Sequence, residues 1–545
     1  MNRFHFTILI TSVLGAYFFL ILNIYNLQIQ NGQYYSEKAQ LQYRLSGFLE
    51  PHRGLIYFSD KNNNRIPAVI NKSHQTIFAV PKEIEDIDKT IENLGPILGI
   101  DQEELRNKIT QNNLYEPLLR KADLEQISKI NESPIKGIYI DDQEWRYYPF
   151  GELASQVLGF LGYNDQSNLA SGQYGIEKRF NDLLGGKPGR IENGKTTKPV
   201  RGSDIVLTID RNIQTEIESK LKELIEKHGA VSGTIIVQEP QTGKIIGLAN
   251  YPTFDLNNYS KYDIATFINP AVQSVYEPGS VFKVITMSAG LDSKKITPNT
   301  TYYDSGSISF SDGKKVKNWD LKAHGQINMS EVIEQSINTG SAFVESQIGH
   351  KAFYNYLDKF GFNDSTQIEL PGEISGNIKN IKTKNANIDF ATASFGQGIS
   401  VTPMQLITAV STIANGGKLM RPYITDNQQP QEIRQVISSD ATKEMIKMMV
   451  SAVNKAKVAQ IPEYNVAGKT GTAQVPDFKH GGYTADVINS YIGFAPAFNP
   501  KFILLIKLDK PIGAPLAGTT VVPAFRELAK FILNYYNIPP DDLHS

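Results

Sequence analysis

The longest apolar stretch of the chain runs from Phe6 to Leu27, 22 residues without a charge, 13 of them Leu, Ile, Phe or Val. At about 1.5 Å per residue such a helix is roughly 33 Å long, enough to cross a hydrocarbon core of about 30 Å. After Leu27 the chain reads Gln-Ile-Gln-Asn-Gly-Gln-Tyr-Tyr, with no small-x-small cleavage site, so the pattern predicts an uncleaved anchor rather than a signal peptide. Arg3 and the α-amine precede the span, whereas Lys38 and Arg44 follow only at a distance. That asymmetry places a short tail in the cytoplasm and everything after the span outside. No second stretch of this kind follows, which predicts a single pass.

Beyond a polar stalk with helical spacing at 28–45, the period changes. Gly54-Leu-Ile-Tyr57, Ala68-Val-Ile70 and Thr76-Ile-Phe-Ala-Val80 read as short strands, and helical spacing recurs near 84–98 and 102–110, an α+β pattern. The Gly-, Pro- and Lys-rich run from Gly185 to Ser203 marks a boundary. Past it, 204–210, 233–237, 245–249, 488–494 and 502–508 read as strands, the second and third as a hairpin around Pro240-Gln-Thr-Gly243. Ile213, Ile217, Leu221, Leu224 and Ile225 share one helical face, and a last helix spans about 524–535. Strands from both ends of this segment, with helices between, predict one sheet in one large domain. The expected organisation is α+β and multidomain: tail and anchor at 1–27, stalk and non-catalytic pedestal at 28–200, a large domain at 201–538, and a tail at 539–545.

Composition narrows the possible chemistry. The 55 basic and 56 acidic residues leave a net charge of −1, with no basic excess to neutralise phosphates, so no nucleic-acid partner is expected. Cysteine is absent, which excludes disulfides, thiolate metal sites and thiol nucleophiles. The eight histidines lack ligand spacing, so neither a metal nor a cofactor is predicted. Gly189-Arg-Ile-Glu-Asn-Gly194-Lys195-Thr196 matches the phosphate-loop pattern, but Pro188 and Pro199 flank it and leave no room for the helix that loop requires, so it reads as a linker hairpin.

Ser-x-x-Lys occurs at Ser133, Ser219, Ser280 and Ser311. Only Ser280 follows a turn signal, Glu277-Pro278-Gly279, and opens an apolar helical run, Val281 to Leu291, in which Lys283 lies one turn along on the same side. Ser336-Ile337-Asn338 lies in a second helical pattern, and Lys469-Thr470-Gly471-Thr472 precedes a strand candidate. The order nucleophile, Ser-x-Asn, Lys-Thr-Gly is the trio of penicillin-binding proteins and serine β-lactamases. A serine hydroxyl needs a base, and Lys283 serves only when neutral. With an ordinary pKa near 10.4, on the order of one part in a thousand is neutral at pH 7, so burial and the cation Lys469 must lower it. In this reading Ser336 relays a proton between the lysines and Asn338 holds Lys283 and the substrate amide. Gly471 lets the strand approach a peptide, the N–H groups of Ser280 and Thr472 form an oxyanion hole, and Thr470 and Thr472 beside Lys469 seat a carboxylate.

With these motifs in place, the sequence resembles a class B penicillin-binding protein. Tyr148-Pro-Phe-Gly151, Leu158-Gly-Phe-Leu-Gly162 and Gly172-Gln-Tyr-Gly-Ile-Glu177 resemble the family's pedestal, and Pro252-Thr-Phe-Asp255, Ala393-Ser-Phe-Gly-Gln-Gly398 and Thr402-Pro-Met-Gln405 its transpeptidase domain. The resemblance implies a dimerisation-like pedestal and a β-lactamase-like antiparallel sheet flanked by helices. It implies a cell-membrane D,D-transpeptidase that binds D-Ala-D-Ala stem peptides and β-lactams through a Ser280 acyl-enzyme, beside a glycosyltransferase and membrane proteins of a division complex. Ile492-Gly-Phe-Ala-Pro-Ala-Phe-Asn-Pro500 and Ile538-Pro-Pro540 resemble the septal branch, the elongation branch being the alternative. Leu516-Ala517-Gly518 departs from the expected Tyr-x-Gly, and the pedestal signature after Arg53-Gly54 is stretched through Asn64. A class A enzyme would need a glycosyltransferase module for which 46–200 is too short. A β-lactamase would not explain the pedestal, and a non-catalytic β-lactam-sensing scaffold would not need the whole trio. Trp145, Trp319 and His324 read as packing or groove residues, since the trio fills every role.

Overall fold

A computed structural model describes residues 48–49, 51–112, 116–163, 170–192, 195–311, 313–379, 381, 386–477, 479–513 and 516–542. The anchor predicted at 6–27 lies outside these residues. Among the described residues no helix is long and apolar enough to cross a membrane.

The chain forms two units, the first built from residues up to 54, 71–147 and 185–203. Among its described residues three α-helices, Ile87–Leu98, Gln102–Ile109 and Leu124–Glu132, each start behind an aspartate. Asp86 accepts the N–H of Lys89, Asp101 that of Glu103, and Asp123 that of Gln126. Such caps stabilise a helix by about 1 kcal/mol each. The third helix is additional to the two that the spacing predicts. Ile91, Leu94, Leu98, Leu105, Ile109, Ile127 and Ile130 close on Ile77, Leu118 and Ile138 of the strands beneath. The runs at 68–70 and 76–80 belong to one strand, Ile66–Ala79, whose polar middle is at least partly exposed. The phosphate-loop lookalike is an antiparallel hairpin, Gly189–Glu192 against Lys195–Thr197, with no helix after it.

The second unit is not one stretch after residue 200: it takes in 55–70 and 148–184 as well as 204–545. Strand Ile56–Ser59 pairs in parallel with Ile205–Asp210. In the segment from 148, Phe160 stacks on Tyr259 at 3.9 Å and meets Phe254 edge-on. Pairing and aromatic packing between residues far apart in sequence, which composition does not register, put these pieces together.

At the centre of this unit lies an antiparallel sheet of β1 (Ser232–Gln238), β2 (Ile245–Tyr251), β3 (Ala467–Pro476), β4 (Tyr483–Ala495) and β5 (Phe502–Asp509), in the order β2-β1-β5-β4-β3. Ile235 stands opposite Ile506, so the two ends of the segment meet as the pattern predicts. The helices that bear on this sheet and the site are α1 (Arg211–His228), α2 (Lys283–Asp292), α3 (Met329–Glu334), α4 (Asn338–Ile348), α5 (Pro403–Ala414), α6 (Ser439–Ala456) and α7 (Val521–Tyr535), and His350–Lys359 and Asn387–Ala393 are further helices of the same unit. Successive strand residues point to opposite faces. Ile235, Val237, Leu504 and Ile506 pack with Ile213, Ile217 and Leu221 of α1 and Phe525, Leu528 and Ile532 of α7. Ile236, Ile503 and Leu505 pack with Val284 and Ile285 of α2, Leu406 and Val410 of α5, and Met445 and Met449 of α6. Burial on both faces is why Phe502–Leu508 is apolar almost throughout. Strand β3, which carries Lys469, is an edge of the sheet.

Candidate active site

The turn before Ser280 is held by glycines. Gly279 has φ +58°, and its N–H donates to the Gly396 carbonyl at 3.0 Å. A Cβ on Gly279 would lie 3.0 Å from Ala473 Cβ, and one on Gly396 2.3 Å from the Gly279 carbonyl oxygen. Glu277 accepts the Gly398 N–H at 3.0 Å, and Thr286 Oγ1 donates to the Ser394 carbonyl at 2.7 Å. The Ala393–Gly398 motif thus braces the nucleophile turn from both sides. Ser280 lies in a 3-10 turn, Gly279–Phe282, that runs into α2 at Lys283.

The three motifs converge on Ser336. The wholly buried Lys283 Nζ donates to the Ser336 carbonyl at 2.5 Å and to Ser336 Oγ at 3.1 Å. Lys469 Nζ, also buried, approaches from β3, donating to Ser336 Oγ at 2.9 Å, the Thr470 carbonyl at 3.0 Å and Thr470 Oγ1 at 3.3 Å. One hydroxyl therefore lies between two amines. It has one proton to give and two lone pairs to receive, so whichever lysine is neutral can accept from it while the other donates to it. Among the described residues no hydrogen bond joins Ser280 to Lys283, whose amine stays on Ser336. Catalytic hydrogen bonds are often made only once substrate is bound.

Ser336 sits here because of a strained cap. Helix α3 ends at Glu334, Ser336 has φ +57°, and the Ile337 N–H returns to the Val332 carbonyl at 3.0 Å. This is the Schellman pattern, in which glycine is the usual left-handed residue. A non-glycine residue there costs on the order of 1–2 kcal/mol. The conformation lets the carbonyl and the hydroxyl of one residue both reach Lys283. Ser336→Gly is therefore expected to be about 1 kcal/mol more stable than Ser336→Ala, while both variants lose most of the acylation rate. Calorimetry together with penicillin acylation kinetics checks this, and equal stabilities would rule out the strain.

One role expected of a site residue is corrected, and a second residue gains a further one. Asn338 does not hold Lys283: its Nδ2 donates to the Lys317 carbonyl at 2.9 Å, because Asn338 opens α4 beside strand Lys315–Lys317. Gly471 has a packing reason of its own, since a Cβ there would lie 2.4 Å from Ser490 Oγ and 2.8 Å from Val281 Cγ2. It is the contact point between the edge strand and the nucleophile turn. Of the hydroxyls expected to seat a carboxylate, Thr470 lies beside Lys469, and Thr472 Oγ1 accepts the Ala517 N–H at 3.4 Å. The departure at Leu516-Ala517-Gly518 therefore touches the rim of the site.

Sequence reasoning missed the support behind the Ser-x-Asn loop. Trp319 Nε1 donates to the Gln335 carbonyl at 3.0 Å, and Asn318 Oδ1 accepts the Thr339 N–H at 3.2 Å. The buried Asp304 accepts from Thr339 Oγ1, Asn318 Nδ2 and His324 Nδ1, each at 2.7 Å. Nothing local marks these residues, because each contact spans 14 or more positions of chain. Trp319, 57% exposed, and His324 thus act as braces through their ring nitrogens rather than as packed core residues.

Burial pushes the Lys283 amine well below its ordinary range, and the neighbouring Lys469 pushes it further; burial alone brings Lys469 down to about 7. Two depressed amines around one serine relay are equipped for proton transfer near neutrality.

Comparison with known proteins agrees with this chemistry. The penicillin binding protein transpeptidase domain matches residues 233–530, and the penicillin-binding protein dimerisation domain matches 48–207. Stage V sporulation protein D of Bacillus subtilis (strain 168) is 31% identical, the alignment covering 98% of this chain and 86% of that protein. A peptidoglycan D,D-transpeptidase FtsI of Buchnera aphidicola subsp. Baizongia pistaciae (strain Bp) is 31% identical over 82% of this chain and 80% of its own. The solved structure of penicillin binding protein 3 from Mycobacterium tuberculosis, complexed with aztreonam, superposes with a TM-score of 0.71 at 26% identity, covering 90% of this chain and 98% of that one. Motif order, the serine held between two buried lysines, and matches to both domains place this chain in the class B penicillin-binding protein family, as a serine-type peptidoglycan D,D-transpeptidase.

Proposed function

We propose that the chain cross-links stem peptides during septal wall synthesis through an acyl-enzyme on Ser280. The Ser280 oxygen attacks the penultimate D-Ala carbonyl while neutral Lys283 takes its proton. The peptide C–N bond breaks, and the terminal D-Ala leaves as an amine carrying a proton returned through Lys283 and Ser336. The amine of a second stem attacks the ester, and its proton restores the Ser280 hydroxyl. Lys469 with Thr470 and Thr472 receives the terminal carboxylate, and the N–H groups of Ser280 and Thr472 receive the oxyanion, each such donor contributing about 3 kcal/mol to the transition state. The observation that carries this reading is Ser336 Oγ, at 3.1 and 2.9 Å from two buried amines. Intact-mass spectrometry is expected to find one penicilloyl adduct, on Ser280, that persists through the assay. Rapid turnover of penicillin would instead mark a hydrolase.

The septal assignment is supported by Ile492–Pro500 and Ile538-Pro-Pro540, and by relatives named FtsI, among them the FtsI homolog of Mesostigma viride at 27% identity. In this proposal residues 6–27 anchor the chain in the cell membrane with the N-terminus cytoplasmic, and both units work outside, beside a glycosyltransferase and division-complex membrane proteins. The Bacillus subtilis relative's name favours a second reading, a role in sporulation. Depletion separates these: filaments indicate septation, rounded cells elongation, and normal growth with failed spores the sporulation role.

A further inference from the structure

Helix α4 carries Asn338 at its start and, further along, one wall of a second groove. This groove has a volume of about 540 Å³ and no part in the chemistry above. Its walls are aromatic: Tyr302 stacks on Phe343 with ring centroids 5.1 Å apart and planes 16° from parallel, and Tyr303 lies beside them, 72% exposed. Ile308 is the one large aliphatic residue among its lining. The polar groups are clustered and braced. The buried Glu345 pairs with His350 Nδ1 at 2.7 Å, His350 Nε2 bonds Asn387 Oδ1 at 2.9 Å, and the ring stacks on Phe390 at 4.0 Å. The exposed Asn387 keeps its amide nitrogen for a ligand, since among the described residues it makes no other hydrogen bond.

Flat rings beside a carboxylate, an imidazole and an amide suit a pyranose, whose C–H face lies on an aromatic ring while its hydroxyl and acetamido groups find partners at the edge. A lipid chain would leave the carboxylate, imidazole and amide at the edge without partners. Phe343 to Ser346 lie roughly 8–12 Å along α4 from Asn338. An extended stem of four residues, at about 3.3 Å each, reaches roughly 13 Å, so a stem that passes Asn338 can set its sugar beside these residues.

We propose that this groove binds the N-acetylated hexosamine to which a stem peptide is attached, so that the enzyme holds its substrate by glycan as well as by peptide. The proposal rests on peptidoglycan being the substrate. The full-length chain in detergent is tested with a pentapeptide and with the same pentapeptide on its disaccharide, read as kcat/KM for D-Ala release. The wild type is expected to favour the disaccharide form by about five- to tenfold, the advantage lying mainly in KM. Tyr303→Ala is expected to abolish that preference and Tyr303→Phe to keep it, with pentapeptide turnover and penicillin acylation unchanged in both. Equal rates for the two substrates in the wild type, a preference that survives Tyr303→Ala, or an equal loss on both substrates would each overturn the groove assignment. Failure of the transpeptidase reading is distinct, since neither substrate would then release D-Ala.

Discussion

Replacing Lys283 by methionine is expected to slow penicillin acylation by a factor of about 10²–10⁴ while leaving the chain folded with an equal or higher melting temperature. The two effects have opposite signs because the amine is wholly buried yet made to work. Its burial disfavours the ammonium form, and Lys469 adds repulsion, so the folded protein holds a neutral base at the cost of stability. Methionine keeps the apolar stem and removes that cost, but it cannot take the Ser280 proton. Fluorescent-penicillin kinetics and calorimetry on the same preparation read both consequences, with Ser280→Ala as the zero-rate control. A Lys283→Met variant acylating at the wild-type rate would falsify the base assignment, and labelling that survives Ser280→Ala would remove the nucleophile.

The second large effect is a pH dependence of stability carried by Lys469. Its ordinary value is 10.5 and burial lowers it to about 7 in the folded chain. Between those values the unfolded chain binds a proton that the folded chain does not, so stability rises with pH across that window. Below about pH 7 both states are protonated and the penalty of the buried charge is at its full value; above about 10.5 both are neutral and the penalty is gone. A difference of that size corresponds to about 5 kcal/mol. The clean comparison is Lys283→Met against Lys283→Met/Lys469→Met, in which one lysine titrates and then none. The first is expected to gain stability from pH 7 to 10 relative to the second. Parallel pH profiles would show that Lys469 is ordinary and in contact with water.

These predictions rest on contacts of different legibility. The spacing of Ser280 and Lys283, the order of the three motifs and the strands that close the sheet are short-range signals, and periods of two and 3.6 report them directly. Ser336 is different. Its type is visible in the motif, but its left-handed φ is set by the way α3 stops and α4 begins, and glycine would be the local choice there. Asn338 was assigned to Lys283 because both lie in named motifs, yet the Lys317 carbonyl claims it, from a strand 21 positions away. The packing demand on Gly471 is equally invisible in the sequence, because Val281 and Ser490, which stand in the space a side chain would fill, are brought there by neighbouring elements.

The amino-acid order alone determined which residue types are available for the reaction, which of four Ser-x-x-Lys matches heads an apolar helix, and that the strands near 235 and 505 belong together. These follow from local geometry and from the burial that an unbroken apolar run demands. Only the tertiary structure decided that one serine hydroxyl would lie between two amines, that segments 55–70 and 148–184 would join the second unit, and that an aromatic groove would open along α4. Each of those brings together groups distant in sequence, and the dehydration that moves the lysines' pKa values exists only once the surrounding elements have closed over them.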